Sequence, residues 1–324
     1  MVKAIRFHQT GGPEVLRYED VSLGKPGRGE ALVRHTAIGL NFIDIYFRTG
    51  LYPSPLPSGI GMEGAGVVEA VGPGVKDIKA GDRVAYAGRP LGSYSEARIM
   101  PAEGLVKLPK TIDDRQAAAM MLQGMTVEYL LRRTYRLKKD DICVLHAAAG
   151  GVGLIFCQWA KAIGAKVIGV VSSDDKARLA RAHGAKWTVD TSKENFVERV
   201  KEITKGKGVP VVYDSIGKDT WTGSLDCLSP RGLMVSFGNA SGPVGPVDLG
   251  ILSAKGSLYV TRPTLMTYTG TRPELLGSAK ALFKMVGDGK VKIRVNQTYA
   301  LKDAAQAQAD MAGRKTTGST VLIP

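Results

Sequence analysis

LHAAAGGVG, residues 145–153, is the stretch on which the reading of the fold turns. It lies between DICVLHAA, a nearly continuous apolar run that reads as a buried strand, and GGVGLIFCQWAKAIG, whose apolar residues recur at helical spacing. Strand, glycine-rich turn and helix in that order are the context a dinucleotide-binding turn of the G-x-G-x-x-G type requires. The three pattern positions are Ala148, Gly150 and Gly153. The two glycines let backbone approach a pyrophosphate and let the helix lie close on the strand. Helix amides beginning near Gly151 would hold the anion. A tight βα turn without a ligand would carry the same glycines. The complete strand–turn–helix–strand unit of roughly thirty residues favours the dinucleotide.

The same alternation continues downstream. KVIGVVSS reads as a strand, DDKARLARAHG and NFVERVKEITKG as helices, VPVVYDSIG as a strand, DTWTGSLDCL as a helix and GLMVSFG as a strand. Buried strands alternating with amphipathic helices predict an α/β fold, a doubly wound parallel sheet of the Rossmann type, reaching to about residue 262. Upstream, EALVRHTAIGL (30–40), GAGVVEAVG (64–72) and DRVAYA (82–87) alternate between Gly and Pro punctuation. They predict an irregular, mostly β first domain. Helical spacing begins near residue 112, in DDRQAAAMMLQGMTVEYLLRRTYRL. The tail carries two helical patterns, ELLGSAKALFKMVGDG and LKDAAQAQADMAG, and a final strand, STVLIP.

The end of KVIGVVSS selects among dinucleotides. An NAD site places Asp or Glu about twenty residues after the glycine turn, to bind the ribose hydroxyls. Here Ser172 and Ser173 stand at that point, then Asp174, Asp175 and Lys176. Two small hydroxyls beside a cation suit a 2′-phosphate, which predicts NADP(H) over NAD(H). The competing reading makes Lys176 an exposed helix residue and Asp174 a helix N-cap, with either cofactor accepted.

Composition narrows the remaining classes. The 324 residues are 44% hydrophobic, enough for about two cores. No apolar run of about 18 residues predicts a membrane span, and MVKAIRFHQTGG reads as strand and turn rather than as a secretory leader. Cys143, Cys157 and Cys227 form no CxxC pair or disulfide framework and point to a reducing cytoplasm. The net charge of +14 is scattered, and its densest runs, RLKKD and KEITKGKG, lack interleaved aromatics. A solvated surface is favoured over a nucleic-acid site.

The chain resembles the zinc-free quinone oxidoreductases related to zeta-crystallin, within the medium-chain dehydrogenase/reductase superfamily. The resemblance runs through GGPEVL (11–16), IGLNFIDIYFRTGLYP (38–53), GMEGAGVVEAVGPGV (61–75), AGDRVAY (80–86), AAAGGVG (147–153), YDSIG (213–217), RGLMVSFGNASG (231–242) and GSLYVTRP (256–263), and is closest to the bacterial NADPH:quinone reductases. It implies a GroES-like β domain over residues 1–125, completed by 263–324, and a Rossmann domain over 126–262. It implies a homodimer through the strand edge at 256–263, whose unpaired groups would seek a partner. Asn41, Phe42, Ile43 and Asp44 would line the nicotinamide, with Thr126 and Tyr129 near it. Gly151 and Val152 would meet the pyrophosphate, and Ser172 and Lys176 the adenosine phosphate. Ser215, Phe237, Gly238 and Asn239 would flank ribose and nicotinamide; Val260 and Thr261 would face the carboxamide, and Arg314 would close the site. Relatives often carry Tyr where this chain has the shorter Thr191.

Zinc-dependent members of the superfamily carry Cys at the position of Asn41 and His at that of Met62. A catalytic zinc needs about three protein ligands. His8, His35, His146 and His183 are far apart in sequence, and His35 falls in a strand pattern, so no metal is expected. A quinone is already electrophilic and needs no Lewis acid. Asn41 could donate to the developing oxyanion, and Tyr46 and Tyr52 could orient the ring or supply a proton. Packing in an aromatic-lined groove is the competing role for Tyr46 and Tyr52, and Tyr94 is a weaker candidate. A zinc-free reductase of α,β-unsaturated carbonyls would use the same parts. An NADPH-binding protein with an RNA-binding or structural role is the remaining alternative.

Overall fold

A computed structural model describes residues 1–324. The chain divides into two compact units, Met1–Met125 with Thr269–Gly287 and Ile293–Pro324, and Thr126–Tyr268 with Asp288–Lys292. The strands of the first unit are β1 (Val2–Phe7), β2 (Leu16–Val21), β3 (Glu30–Leu40), β4 (Ser58–Gly59), β5 (Glu63–Val71), β6 (Arg83–Ala87), β7 (Ala97–Pro101) and β8 (Val106–Lys107). The second holds β9 (Ile142–His146), β10 (Lys166–Val171), β11 (Trp187–Asp190), β12 (Val209–Asp214), β13 (Leu228–Ser236) and β14 (Tyr259–Thr261). The first unit then gains β15 (Val295–Ala300) and β16 (Ser319–Ile323).

In the first unit a three-stranded sheet, β2-β1-β4, accompanies a seven-stranded sheet ordered β15-β16-β3-β5-β6-β8, with β7 also on β3. The tail strand β16 runs antiparallel to β3, with Val321 opposite Gly39. Strand β3 alternates buried and accessible positions through its first half and is then buried continuously from Ala37 to Leu40. His35 occupies one of the buried positions. Both its ring nitrogens are matched, Nδ1 to the Ser95 carbonyl at 2.6 Å and Nε2 to the Tyr86 hydroxyl at 2.8 Å. It is a structural histidine.

The second unit is a six-stranded parallel sheet ordered β11-β10-β9-β12-β13-β14. Counted from β9, that is the Rossmann order 3-2-1-4-5-6. Its core is branched and apolar, with Val144, Ile168, Val170, Val189, Val212 and Met234 all buried. Each such side chain contributes about 1.5–3 kcal/mol when fully buried. The order reverses between β9 and β12, so loops at their carboxyl ends diverge and leave a crevice, which is where doubly wound sheets bind ligands.

Candidate active site

In the second unit, four of the predicted segments follow the carboxyl ends of strands β9, β10, β12 and β13. After β9, Ala147 takes a left-handed backbone at φ 53, and Gly150 caps the helix Gly151–Ile163. A Cβ on Gly153 would run into the Ala147 and Ala148 backbone, so only glycine lets this helix start so close to the strand. The amides of Gly151, Val152 and Gly153 are the donors an α-helix leaves unsatisfied, at its positive end. After β10, Ser173 rather than Asp174 is the N-cap of the helix Asp174–Ala182; its hydroxyl accepts from the Lys176 N–H. The Lys176 ammonium lies 3.3 Å from the Ser172 hydroxyl. Asp174 is paired with Lys193, and the Thr191 hydroxyl donates to the Val171 carbonyl at 3.1 Å.

The loops after β12 and β13 are fastened to each other. Asp214 accepts from the N–H groups of Ile216 (2.7 Å) and Gly217 (3.1 Å), and from the hydroxyls of Thr220 (2.6 Å) and Ser224 (2.7 Å). This fixes the turn carrying Ser215. The Phe237 N–H donates to the Asp214 carbonyl at 2.8 Å, and a Cβ on Gly238 would strike Ser215. Arg262 donates to the Ser236 carbonyl at 2.8 Å and, with the Asn239 amide oriented so that both its ends are matched, to the Asn239 side-chain oxygen at 3.0 Å. Val260 and Thr261 lie on the outermost strand, opposite Met234 and Val235. Thr126 and Tyr129 are buried on the helix Met121–Tyr129, and Tyr129 stacks on Tyr268 at 4.4 Å. Burial raises the Tyr129 hydroxyl pKa.

In the first unit, β3 leads directly into the helix Phe42–Thr49, with Asn41 as its N-cap. The Asn41 N–H donates to Asp44 Oδ2 at 2.9 Å, and so does the Tyr94 hydroxyl at 2.8 Å. Tyr94 is wholly buried and committed to Asp44, which removes it from the candidates for contacting substrate. Asp44 Oδ1 is buried without a hydrogen bond. Burial pushes this carboxyl up to about 7, opposed by the two donors. Phe42, Tyr46 and Tyr52 form an aromatic row, with centroids 5.5 Å and 5.2 Å apart. The row continues through Phe47, 5.7 Å from Tyr52, to the Arg89 guanidinium 5.1 Å from the Phe47 ring. Ile43 is half-buried beside this row in sequence, on the same helix. Arg314 is exposed at the turn after the helix Ala304–Ala312, at φ 59, and is not among the residues these contacts gather.

The first-unit network also contains residues the motif reading passed over. Glu63 is fully buried and accepts from the Asn41 amide at 2.6 Å and the Leu122 N–H at 2.8 Å. Burial pushes its carboxyl up to about 8 against these donors, with Asp44 adding to the rise. Glu63 has a seat only because Gly39 faces it across β3 and β5; a Cβ on Gly39 would collide with the carboxylate. Gln123 donates to Asn41 Oδ1 at 3.2 Å, and the Ser319 hydroxyl lies 2.8 Å from Gln123 Oε1. Nothing in sequence spacing links residues 41, 63, 123 and 319. Asp214 was more visible, as a carboxylate closing the apolar run VPVVYD just ahead of a turn.

Zinc finds no suitable donor set here. No three His, Cys, Asp or Glu side chains converge as ligands. Asn41 presents an amide N–H to Glu63, Met62 is a buried thioether, and the three thiols are buried in the second unit. A nicotinamide dinucleotide fits better. The glycine cradle at Gly150–Gly153 admits backbone against a pyrophosphate, and Ser172 with Lys176 offers a hydroxyl and a cation.

Residues 151–277 match the family model described as "Zinc-binding dehydrogenase", and residues 27–110 match "Alcohol dehydrogenase GroES-like domain". The chain is 60% identical to a quinone oxidoreductase of Pseudomonas aeruginosa over the full length of both. It superposes on the structure of Escherichia coli quinone oxidoreductase complexed with NADPH with a TM-score of 0.98, at 54% identity, covering 99% of this chain and 100% of that one. A 2-haloacrylate reductase of a Burkholderia species is 48% identical, over 100% of this chain and 99% of that protein. With a GroES-like unit, a Rossmann unit and this degree of identity, the chain belongs to the quinone oxidoreductase family of the medium-chain dehydrogenases/reductases.

Proposed function

We propose that this protein is a zinc-independent NADPH:quinone oxidoreductase. The observation that carries the reading is the glycine-cradled helix N-terminus at Gly151, with Ser172 and Lys176 at the end of the neighbouring strand. The relatives' identity as quinone oxidoreductases, one of them complexed with NADPH, supports the same activity. When bound, NADPH supplies the hydride. The amides of Gly151 and Val152 hold its pyrophosphate, and Ser172 and Lys176 hold the 2′-phosphate. Ser215, Phe237, Gly238 and Asn239 bound the ribose and nicotinamide, with Val260 and Thr261 at the carboxamide; Arg314 is a further candidate that the resemblance alone supplies. The resemblance adds Asn41, Phe42, Ile43 and Asp44, and Thr126 and Tyr129, as candidates for contact with the nicotinamide.

Asn41 donates an amide N–H to the quinone oxygen as charge develops on it, a contribution worth about 3–4 kcal/mol in good geometry. Tyr46 and Tyr52 orient the quinone ring and hold the proton for the oxyanion. We place the protein in the cytoplasm, where its three buried free thiols stay reduced. It dimerises through β14, where Tyr259 is 63% exposed on an unpaired edge.

A second reading follows from the 48%-identical 2-haloacrylate reductase: reduction of an activated carbon–carbon double bond, with Asn41 stabilising the enolate. One experiment separates the two. NADPH oxidation is followed with 1,4-benzoquinone, 1,2-naphthoquinone, a 2-alkenal and 2-chloroacrylate, with and without chelator. Turnover confined to quinones and indifferent to chelator is the expected result. Turnover confined to the alkenes moves the protein to the second reading, and loss of activity with chelator overturns the zinc-free assignment.

A further inference from the structure

We infer that Glu63 and Gln123 form a clamp that fixes the Asn41 carboxamide in one orientation and leaves a single N–H for the substrate. This rests on the reading of Asn41 as the oxyanion donor. Both ends of the Asn41 amide are engaged within the first unit. Its oxygen accepts from Gln123 Nε2 at 3.2 Å, and its nitrogen donates to Glu63 Oε2 at 2.6 Å. A primary amide has two N–H donors, so one remains.

The clamping residues are themselves held. The Leu122 N–H, next to Gln123 on the helix Met121–Tyr129, donates to Glu63 Oε1 at 2.8 Å. The Ser319 hydroxyl, at the start of β16, lies 2.8 Å from Gln123 Oε1 and 3.0 Å from the Ala119 carbonyl, and so holds the far end of the Gln123 amide in place. Gly39 keeps the seat of the Glu63 carboxylate open. Asn41, Glu63, Gln123 and Ser319 are all buried, so water does not compete for these bonds. With Glu63 ionised, the form its two N–H donors favour, turning the Asn41 amide over would set its oxygen against a carboxylate and its NH2 against the Gln123 NH2. Both contacts would be lost and both replaced by repulsion. A donor locked in this way is ready before charge develops, the condition under which such a group accelerates a reaction. Glu63 and Gln123 are positioning residues, acting through Asn41.

The test is a double-mutant cycle on the steady-state kinetics of the full-length protein with NADPH and 1,4-benzoquinone. In Glu63→Gln the new amide has one acceptor end, so it can satisfy Asn41 or Leu122 and not both. Gln123→Met keeps the bulk, removes the donor at the other end, and serves alone should the Glu63 variant fail to fold. Each is expected to lower kcat about tenfold, with KM for NADPH within about twofold. Combined with Asn41→Ala, neither should lower kcat further. Wild-type kcat in the clamp variants while Asn41→Ala is slow overturns the clamp alone. The same loss in the presence and absence of Asn41 also overturns it, since the effect would then be structural. Wild-type kcat in Asn41→Ala overturns both the clamp and the role of Asn41.

Discussion

The choice between two nearly identical dinucleotides rests on one lysine. The Lys176 ammonium stands 3.3 Å from the Ser172 hydroxyl, while the nearby carboxylate of Asp174 is turned to Lys193. Lys176 belongs to a helix started by Ser173, which places its amine back over the strand end. A charge-assisted contact to phosphate is worth about 1.5–3 kcal/mol. Lys176→Ala is therefore expected to raise KM for NADPH about tenfold or more and to leave KM for NADH nearly unchanged. Equal effects on the two cofactors would show that Lys176 does not meet the 2′-phosphate. Ser172, Ser173 and Lys176 were legible as a group in the sequence, because their spacing from Gly153 is set by one helix and one strand. The cap was not: Ser173 and Asp174 are both good N-caps, and only the backbone at Ser173, extended at φ −167, shows where the helix begins.

At the level of elements, β3 carries both a support and a space. His35 sits at a core position, and burial lowers its pKa from the ordinary 6.5 to about 4. In the unfolded chain the ring takes up a proton below about pH 6.5, whereas in the folded chain it stays neutral down to about pH 4. The unfolded state then binds more protons, so stability falls as pH falls across that window. The loss is of the order of 3 kcal/mol in total. Denaturant unfolding of wild type and His35→Gln should show it. The wild type is expected to lose stability more steeply between about pH 6.5 and about pH 4, and parallel curves would refute a neutral buried imidazole. Four positions on from His35, Gly39 opens the space in which Glu63 reaches Asn41. Strand alternation gave the first of these positions. The second depends on register between β3 and β5, which shifts twice along their length, and no local pattern encodes it.

Over the whole molecule, the parallel sheet ends in a short strand whose outer side is unpaired. Tyr259 and Val260 are 63% and 40% exposed there, among the few large apolar side chains left in solvent. An edge of that kind pairs with a copy of itself or aggregates. Tyr259→Lys places a charge on the edge and is expected to yield monomers in light scattering, where the wild type gives twice that mass. Monomeric wild type would remove the dimer from the proposed function. The net charge of +14 shows no comparable concentration in the sequence: its densest runs are short and lack aromatic neighbours.

The sequence by itself determined the fold class and the placement of the dinucleotide turn. Each is written in local periodicity, in strand and helix patterns of five to thirteen residues and in glycines at fixed distances from strand ends. It also marked Asn41 and Met62 as standing where zinc-dependent members of the superfamily carry Cys and His, because that reading needs only residue identity. Tertiary structure alone decided the surroundings of Asn41. Glu63, Gln123 and Ser319 come from three segments far apart in the chain, joined by a β3–β5 register, a helix start and the antiparallel return of β16. Hydrogen bonds between buried side chains depend on which backbones lie side by side, and that is settled only when the sheet has closed.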